Sequence, residues 1–91
     1  MVVRSARRGA RREWSRRETP ELVHGIRRRF VEALAAATGP APVRYERAVQ
    51  SVVQEMKLQV LRHTGDLDLA MHAAKRTRDI CLETARGLHP S

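Results

Sequence analysis

A stripe of apolar residues at helical spacing runs through the middle of this 91-residue chain. At about 100° of rotation per residue, ten side chains fall on one face of a helix. These are Val49, Val52, Val53, Met56, Val60, His63, Leu67, Ala70, Met71 and Ala74. The stripe keeps its phase through Gly65, so it predicts one continuous helix from about Arg44 to Arg76, on the order of 50 Å long at 1.5 Å per residue.

Shorter helices are predicted on either side of this long helix. Thr19, Pro20 and Glu21 mark a helix start, because threonine caps helices, proline suits the first turn and glutamate favours the positive end of the dipole. Gly39 and Pro40 mark its end. A turn at residues 77–80 and a last short helix to Arg86 complete an all-α domain over residues 19–88, with residues 89–91 as a tail. The expected architecture is a long central helix flanked by shorter helices, with a basic N-terminal arm.

A second apolar stripe lies on roughly the opposite side of the predicted long helix. It consists of Leu58, Leu61, Gly65 and Leu69. A helix with two apolar faces has to be covered twice, and the remaining chain is too short to cover both. The second stripe therefore predicts a partner interface, and the chain is expected to act as an obligate dimer.

The positive charge is concentrated at the N-terminus. The chain has 18 Lys and Arg against 10 Asp and Glu, a net charge of +8. Residues 1–29 hold ten arginines and three glutamates, whereas residues 30–91 are close to neutral. Residues 1–18, which show no sustained apolar period, are predicted to be an arm that is disordered or folds on a partner. Such an arm favours duplex DNA as a partner, and its candidate contacts are Arg7, Arg8, Arg11, Arg12, Arg16 and Arg17.

Other interpretations of the arm stay open. An anionic membrane surface is a second possible partner class, ranked behind nucleic acid, and the chain is predicted to bind no membrane. An Arg-rich segment with one acid also fits a mitochondrial presequence, and a solvated tail needs no partner. Trp14 either anchors the arm to the body or stacks on a base or lipid headgroup, and packing is the commoner fate of a tryptophan.

Sequence signatures of catalysis are missing. There is no Gly-rich phosphate loop, no HExxH and no paired-cysteine motif. His63, His72 and Cys81 are spaced by nine residues, which does not suit one metal site, and His63 is expected in the core. Cys81 has no activating neighbour in sequence and is expected to be structural. The chain is therefore predicted to be no enzyme, with no cofactor, no metal and no small-molecule substrate.

Several segments resemble the core histones, closest to the third core histone class and its centromeric variants. They occur in the family's order over about residues 11–88: residues 12–13 (RE), 20–23 (PELV), 29–35 (RFVEALA), 44–49 (RYERAV), 66–77 (DLDLAMHAAKRT), 79–82 (DICL) and 86–87 (RG). The chain departs from the family in a shorter second loop, in a shifted histidine at His72 and in an arm without lysine.

The resemblance implies roles for particular residues. Arg44 would match the first-loop arginine that enters the DNA minor groove. Arg76 and Thr77 would match the phosphate contacts of the second loop, with Arg78 beside them, and Arg29 would lie near a phosphate contact of the first helix. The partner would be another histone-fold chain or a second copy, and the location the nucleus.

The sequence therefore predicts a non-enzymatic, histone-like subunit that binds or packages DNA through its backbone, largely without sequence preference. The alternative is a structural helical subunit of an organellar or ribosomal assembly, with an RNA-binding or targeting arm and a mitochondrial location.

Overall fold

Four α-helices make up the described part of the chain. The structure is a computed structural model that describes residues 2–88, with side chains described for residues 9–88. The helices are α1 (Val2–Arg17), α2 (Pro20–Ala36), α3 (Ala41–Thr64) and α4 (Leu67–Leu88). No residue in the range 2–88 is in a strand, so the predicted all-α class is confirmed. The predicted tail at 89–91 lies outside the described residues.

Helix α2 begins where its sequence signals predict. The Thr19 hydroxyl accepts a hydrogen bond of 3.1 Å from the Leu22 amide, and Pro20 occupies the first turn. At the other end the helix stops at Ala36, before the predicted stop at Gly39 and Pro40, and the Ala37 amide donates to the carbonyl oxygens of Ala33 and Leu34. These bonds satisfy backbone groups that a helix end leaves without partners.

The long central helix predicted from Arg44 to Arg76 is wrong, because α3 ends at Thr64. Gly65 adopts the left-handed conformation with φ of 66°, and its amide donates to the Leu61 carbonyl at 2.8 Å. Asp66 then caps α4, since its Oδ1 accepts a bond of 3.0 Å from the Leu69 amide. A glycine at the end of one helix and an aspartate before the next form a two-residue turn.

The loop predicted at residues 77–80 is also wrong, since α4 runs without a break from Leu67 to Leu88. Arg76, Thr77 and Arg78 lie in the middle of this helix. Thr77 and Ile80 are both buried there, so packing on one side holds the helical conformation across the segment. Arg76, Thr77 and Arg78 are therefore helical and do not form the loop in which the resemblance placed them.

Helices α3 and α4 pack against each other along a hairpin, with α2 against both and α1 against α4. The resulting body measures about 45 × 21 × 21 Å. Its core is centred on Phe30 of α2, which has no exposed surface and whose ring lies 6.3 Å from that of Tyr45. The other large buried side chains come from every helix: Trp14, Ile26, Leu34, Val49, Val52, Met56, Val60, Leu69 and Ile80.

The hairpin buries part of the second apolar stripe within the chain. Leu69 is 2% exposed in the core, and Leu61 packs against that core. Gly65 is exposed in the turn, and Leu58 is 43% exposed. The partner interface assigned to these four residues depended on a continuous helix, so the argument for a second chain at this position no longer holds.

The break also changes which residues of α4 are buried. Leu67 and Met71, both placed in the first stripe, are 58% and 52% exposed. His63, expected in the core, is exposed as well. The buried face of α4 instead carries Leu69, Ala70, Ala73, Thr77, Ile80 and Cys81. Cys81, which was expected to be structural, is buried, whereas the predicted phase beyond Gly65 is wrong.

Candidate nucleic-acid interface

Helix α1 is held on the body by a small apolar face. Ala10 and Trp14, one turn apart, are both buried in the common core. The predicted packing of Trp14 is confirmed, and disorder is the wrong prediction for the part of residues 1–18 around these two side chains. Met1 and the side chains of Arg7 and Arg8 lie outside the described part, so two of the predicted contacts are placed only by their positions in α1.

A polar cluster fixes the end of α1 to α4. The Glu18 carboxylate accepts hydrogen bonds from Arg76 at both oxygens, at 2.9 Å from Nε and 3.0 Å from Nη2. The Trp14 indole also donates to Glu18 Oε1, at 2.9 Å. The Arg76 guanidinium, together with the Trp14 bond, lowers the pKa of Glu18 against the opposing effect of partial burial. Arg76, which was expected to contact phosphate, is thus paired with a carboxylate of the same chain.

The outer surface of α1 carries the exposed arginines. Arg11, Arg12, Arg16 and Arg17 are exposed. Glu13 pairs with Arg17 at 2.8 Å and lies 3.9 Å from Arg16. Arg11 and Arg12 have no acidic partner among the described residues. Burial of Ala10 and Trp14 orients the helix, so these guanidinium groups are presented to solvent on a rigid element.

The other predicted contacts are mostly neutralised or buried. Arg29 pairs with Glu55, and Arg78 lies 3.5 Å from Glu46. Thr77 has no exposed surface and cannot reach a phosphate. The structure therefore does not bring the second-loop residues to α1 as one surface.

Arg44 lies in the first turn of α3 and is half-buried. Its Nε is buried without a hydrogen-bond partner among the described groups. The stem of this side chain is therefore fixed by packing, and only its outer guanidinium nitrogens remain for a ligand. The position suits an anion contact at a helix start less well than the exposed α1 arginines do.

Sequence reasoning did not single out several exposed cations. They are Arg27, Arg28, Arg47, Arg62, Lys75 and Arg86. His72 is half-buried between α1 and α4. Burial lowers its pKa, and the charges of Arg11 and Lys75 act in the same direction. Lys75 follows His72 by one helical turn in sequence, whereas Arg11 acts on it from a different helix, which no local pattern could indicate.

The described residues contain no group of three His, Cys, Asp or Glu side chains that could hold a metal ion. Burial raises the pKa of the Cys81 thiol to about 11, so it is protonated at neutral pH and is a poor nucleophile. Within residues 2–88, no helix has an apolar stretch long enough to cross a membrane.

No protein-family model, no curated protein and no solved structure matches this chain. Arguments about its function therefore depend on its own residues.

Proposed function

We propose that this chain is a non-enzymatic nucleic-acid-binding protein that contacts the phosphate backbone of duplex DNA through the exposed arginines of α1. One observation carries the proposal: α1 holds seven arginines and one glutamate, a net +6 of the chain's +8. This charge lies on a helix whose apolar side is already used for packing.

The arrangement of acids in the body supports α1 as the contact surface. Glu18, Glu55 and Glu46 neutralise Arg76, Arg29 and Arg78. Each of these arginines would have to leave a partner to bind phosphate. Arg11 and Arg12 have no such partner to give up, so binding an anion there costs less desolvation and less rearrangement.

Binding through these groups is expected to be largely independent of sequence. Phosphate contacts fix the position of a protein on a duplex but carry no base information. Neutralising phosphates also releases condensed counterions, so the affinity falls with salt at a slope of about 0.9 per contact on log–log axes.

The experiment is a salt titration of duplex binding with paired double variants. Replacing Arg11 and Arg12 together by glutamine should weaken binding and flatten the slope by up to about 1.8. The matched control replaces Arg47 and Arg86, which are exposed on α3 and α4, and should change neither value much. Deletion of the whole arm is a poor test, because it would expose the surface that Trp14 covers.

An equal effect of the two double variants would contradict the assignment to α1. Binding to single-stranded or duplex RNA in the absence of DNA binding would favour the alternative, a structural subunit of an organellar or ribosomal assembly. Membership of the histone class, action as a dimer and a nuclear location stay predictions. A dimer would need a surface other than the one first assigned, and Leu67 and Met71 form the most exposed apolar pair on α4.

A further inference from the structure

An open groove lies where the α1–α2 corner meets the C-terminal half of α3. Its volume is about 390 Å³. Apolar side chains from three helices line it: Trp14 from α1, Leu22 from α2, and Met56 and Val60 from α3. This groove is separate from the solvent-facing surface of Arg11 and Arg12, neither of which lines it.

The polar groups of the groove lie at its edge and are basic or neutral. Arg16 and Arg17 contribute from α1, and His63 from α3. Glu13 neutralises Arg17 at 2.8 Å but lies 3.9 Å from Arg16, so one net positive charge remains between these two arginines. None of the described lining residues is acidic.

The His63 ring is oriented by a backbone contact. Its Nδ1 lies 2.8 Å from the Gln59 carbonyl oxygen. Because a carbonyl can only accept, Nδ1 donates this bond, and Nε2 of the neutral ring is then an acceptor that cannot donate to a carboxylate. The groove thus combines an apolar floor with a guanidinium and an imidazole at its rim.

We propose that this groove binds a single-chain anionic amphiphile, a long-chain carboxylate whose hydrocarbon lies on the floor and whose headgroup is bound by Arg16. The volume lies within the range of small-molecule sites, about 300 to 1,000 Å³, and the lining combines the four apolar side chains with six polar residues: Arg16, Arg17, Thr19, Gln59, His63 and Thr64. A protein partner usually buries a broader surface, about 800 Å² on each side. Such a compound is a ligand rather than a substrate, and it adds to the nucleic-acid function.

The only tryptophan of the chain reports on this groove. Trp14 lines it and is 3% exposed, so a ligand on the floor changes the surroundings of the indole. The test titrates dodecanoate, kept below its micelle concentration, and follows Trp14 emission and the midpoint of thermal unfolding. Binding to the folded state should raise that midpoint as the ligand concentration increases.

Two control ligands test the contribution of the hydrocarbon chain and that of the negative charge separately. Butanoate has the same headgroup with too little hydrocarbon for the floor, and dodecyltrimethylammonium has the same chain with the opposite charge. Both should bind at least tenfold more weakly than dodecanoate. Equal binding of all three compounds, or a lowered unfolding midpoint with dodecanoate, would overturn the proposal.

Two protein controls place the ligand. Arg16→Glu should weaken dodecanoate binding at least tenfold, whereas Arg12→Glu, on the same helix and equally exposed but outside the groove, should leave it nearly unchanged. Leu22→Ala, which removes part of the floor from a partly buried position, should also weaken binding in a folded protein. Equal losses in Arg12→Glu and Arg16→Glu would show adsorption to the basic surface and would refute the groove.

Discussion

Glu18 and Arg76, 58 residues apart in sequence, form a two-point contact in which one carboxylate binds Nε and Nη2 of one guanidinium. The same carboxylate accepts a hydrogen bond from the Trp14 indole N–H. The contact joins the end of α1 to the middle of α4, so the helix that carries most of the charge is fixed to the body by a planar, directional pair.

Glu18→Gln tests this contact. Loss of the Glu18 carboxylate charge should lower the free energy of unfolding at neutral pH by about 1 kcal/mol, allowing for the partial exposure of the pair. Because the pKa of Glu18 is lowered in the folded protein, its stabilisation is present above the ordinary value of 4.5 and is lost as the pH falls through the lowered pKa. Urea unfolding at several pH values measures both effects.

The matched control for that variant is Glu32→Gln, an exposed acid of α2 with no ion pair among the described residues. It should leave stability nearly unchanged at neutral pH. A difference between wild type and Glu18→Gln that persisted below the lowered pKa of Glu18 would show that the carboxylate charge does not make the contact.

Leu69→Ala and Leu67→Ala test the hairpin directly. Leu69 is 2% exposed and Leu67 is 58% exposed. The first change should therefore cost about 3 kcal/mol through lost burial and a residual cavity, and the second less than about 0.5 kcal/mol. Thermal or urea unfolding measures both losses of stability. A larger loss for Leu67→Ala than for Leu69→Ala would support the continuous helix and contradict the hairpin.

Gly65→Ala tests the turn between α3 and α4. A Cβ at Gly65 meets no atom within 4 Å, but φ is 66°, so the expected loss of about 1 kcal/mol comes from backbone strain alone. Gly25→Ala is the control, since its Cβ is equally free and it lies inside α2. There the same substitution should stabilise by about 0.5–1 kcal/mol. Circular dichroism during unfolding measures both, and a stabilising Gly65→Ala would contradict the turn.

His72 predicts a pH dependence near neutrality. Burial lowers the pKa of His72 below the ordinary 6.5. The positive charges of Arg11, Lys75 and Arg76 lower this pKa further, and the negative charge of Glu18 raises it. The unfolded chain therefore binds a proton more readily, so stability should fall as the pH drops from above 6.5 toward the lowered pKa. His72→Gln should flatten this part of the stability profile, measured by thermal unfolding. An unchanged profile would mean that His72 is not the group responsible.

The histidine exposed on α3 serves as the control for that measurement. His63→Gln alters a solvent-facing ring and should leave the dependence of stability on pH in place. If it removed the dependence instead, the assignment of the dependence to His72 would be wrong.

Local sequence was sufficient for the helical class and for the start of α2. Thr19 and Pro20 begin that helix, because capping bonds and backbone preferences act within a few residues. The end of α3 and the full length of α4 were not predicted. Packing was the commoner expectation for Trp14, and this side chain is buried. The excess of arginine in α1 can be counted directly, and the proposed contact with a polyanion depends on it.

The tertiary structure decided which face of the helix after Gly65 is buried. A period of 3.6 residues identifies a helix but does not record where another helix will cover it, so Leu67 and Leu69 were equally suited to the core. Packing of α2 and α3 selected Leu69, together with Ile80, and left Leu67 in solvent. Arg76 likewise became an internal partner of Glu18 only because the hairpin returns α4 to the end of α1, a relationship between distant residues that no local pattern contains.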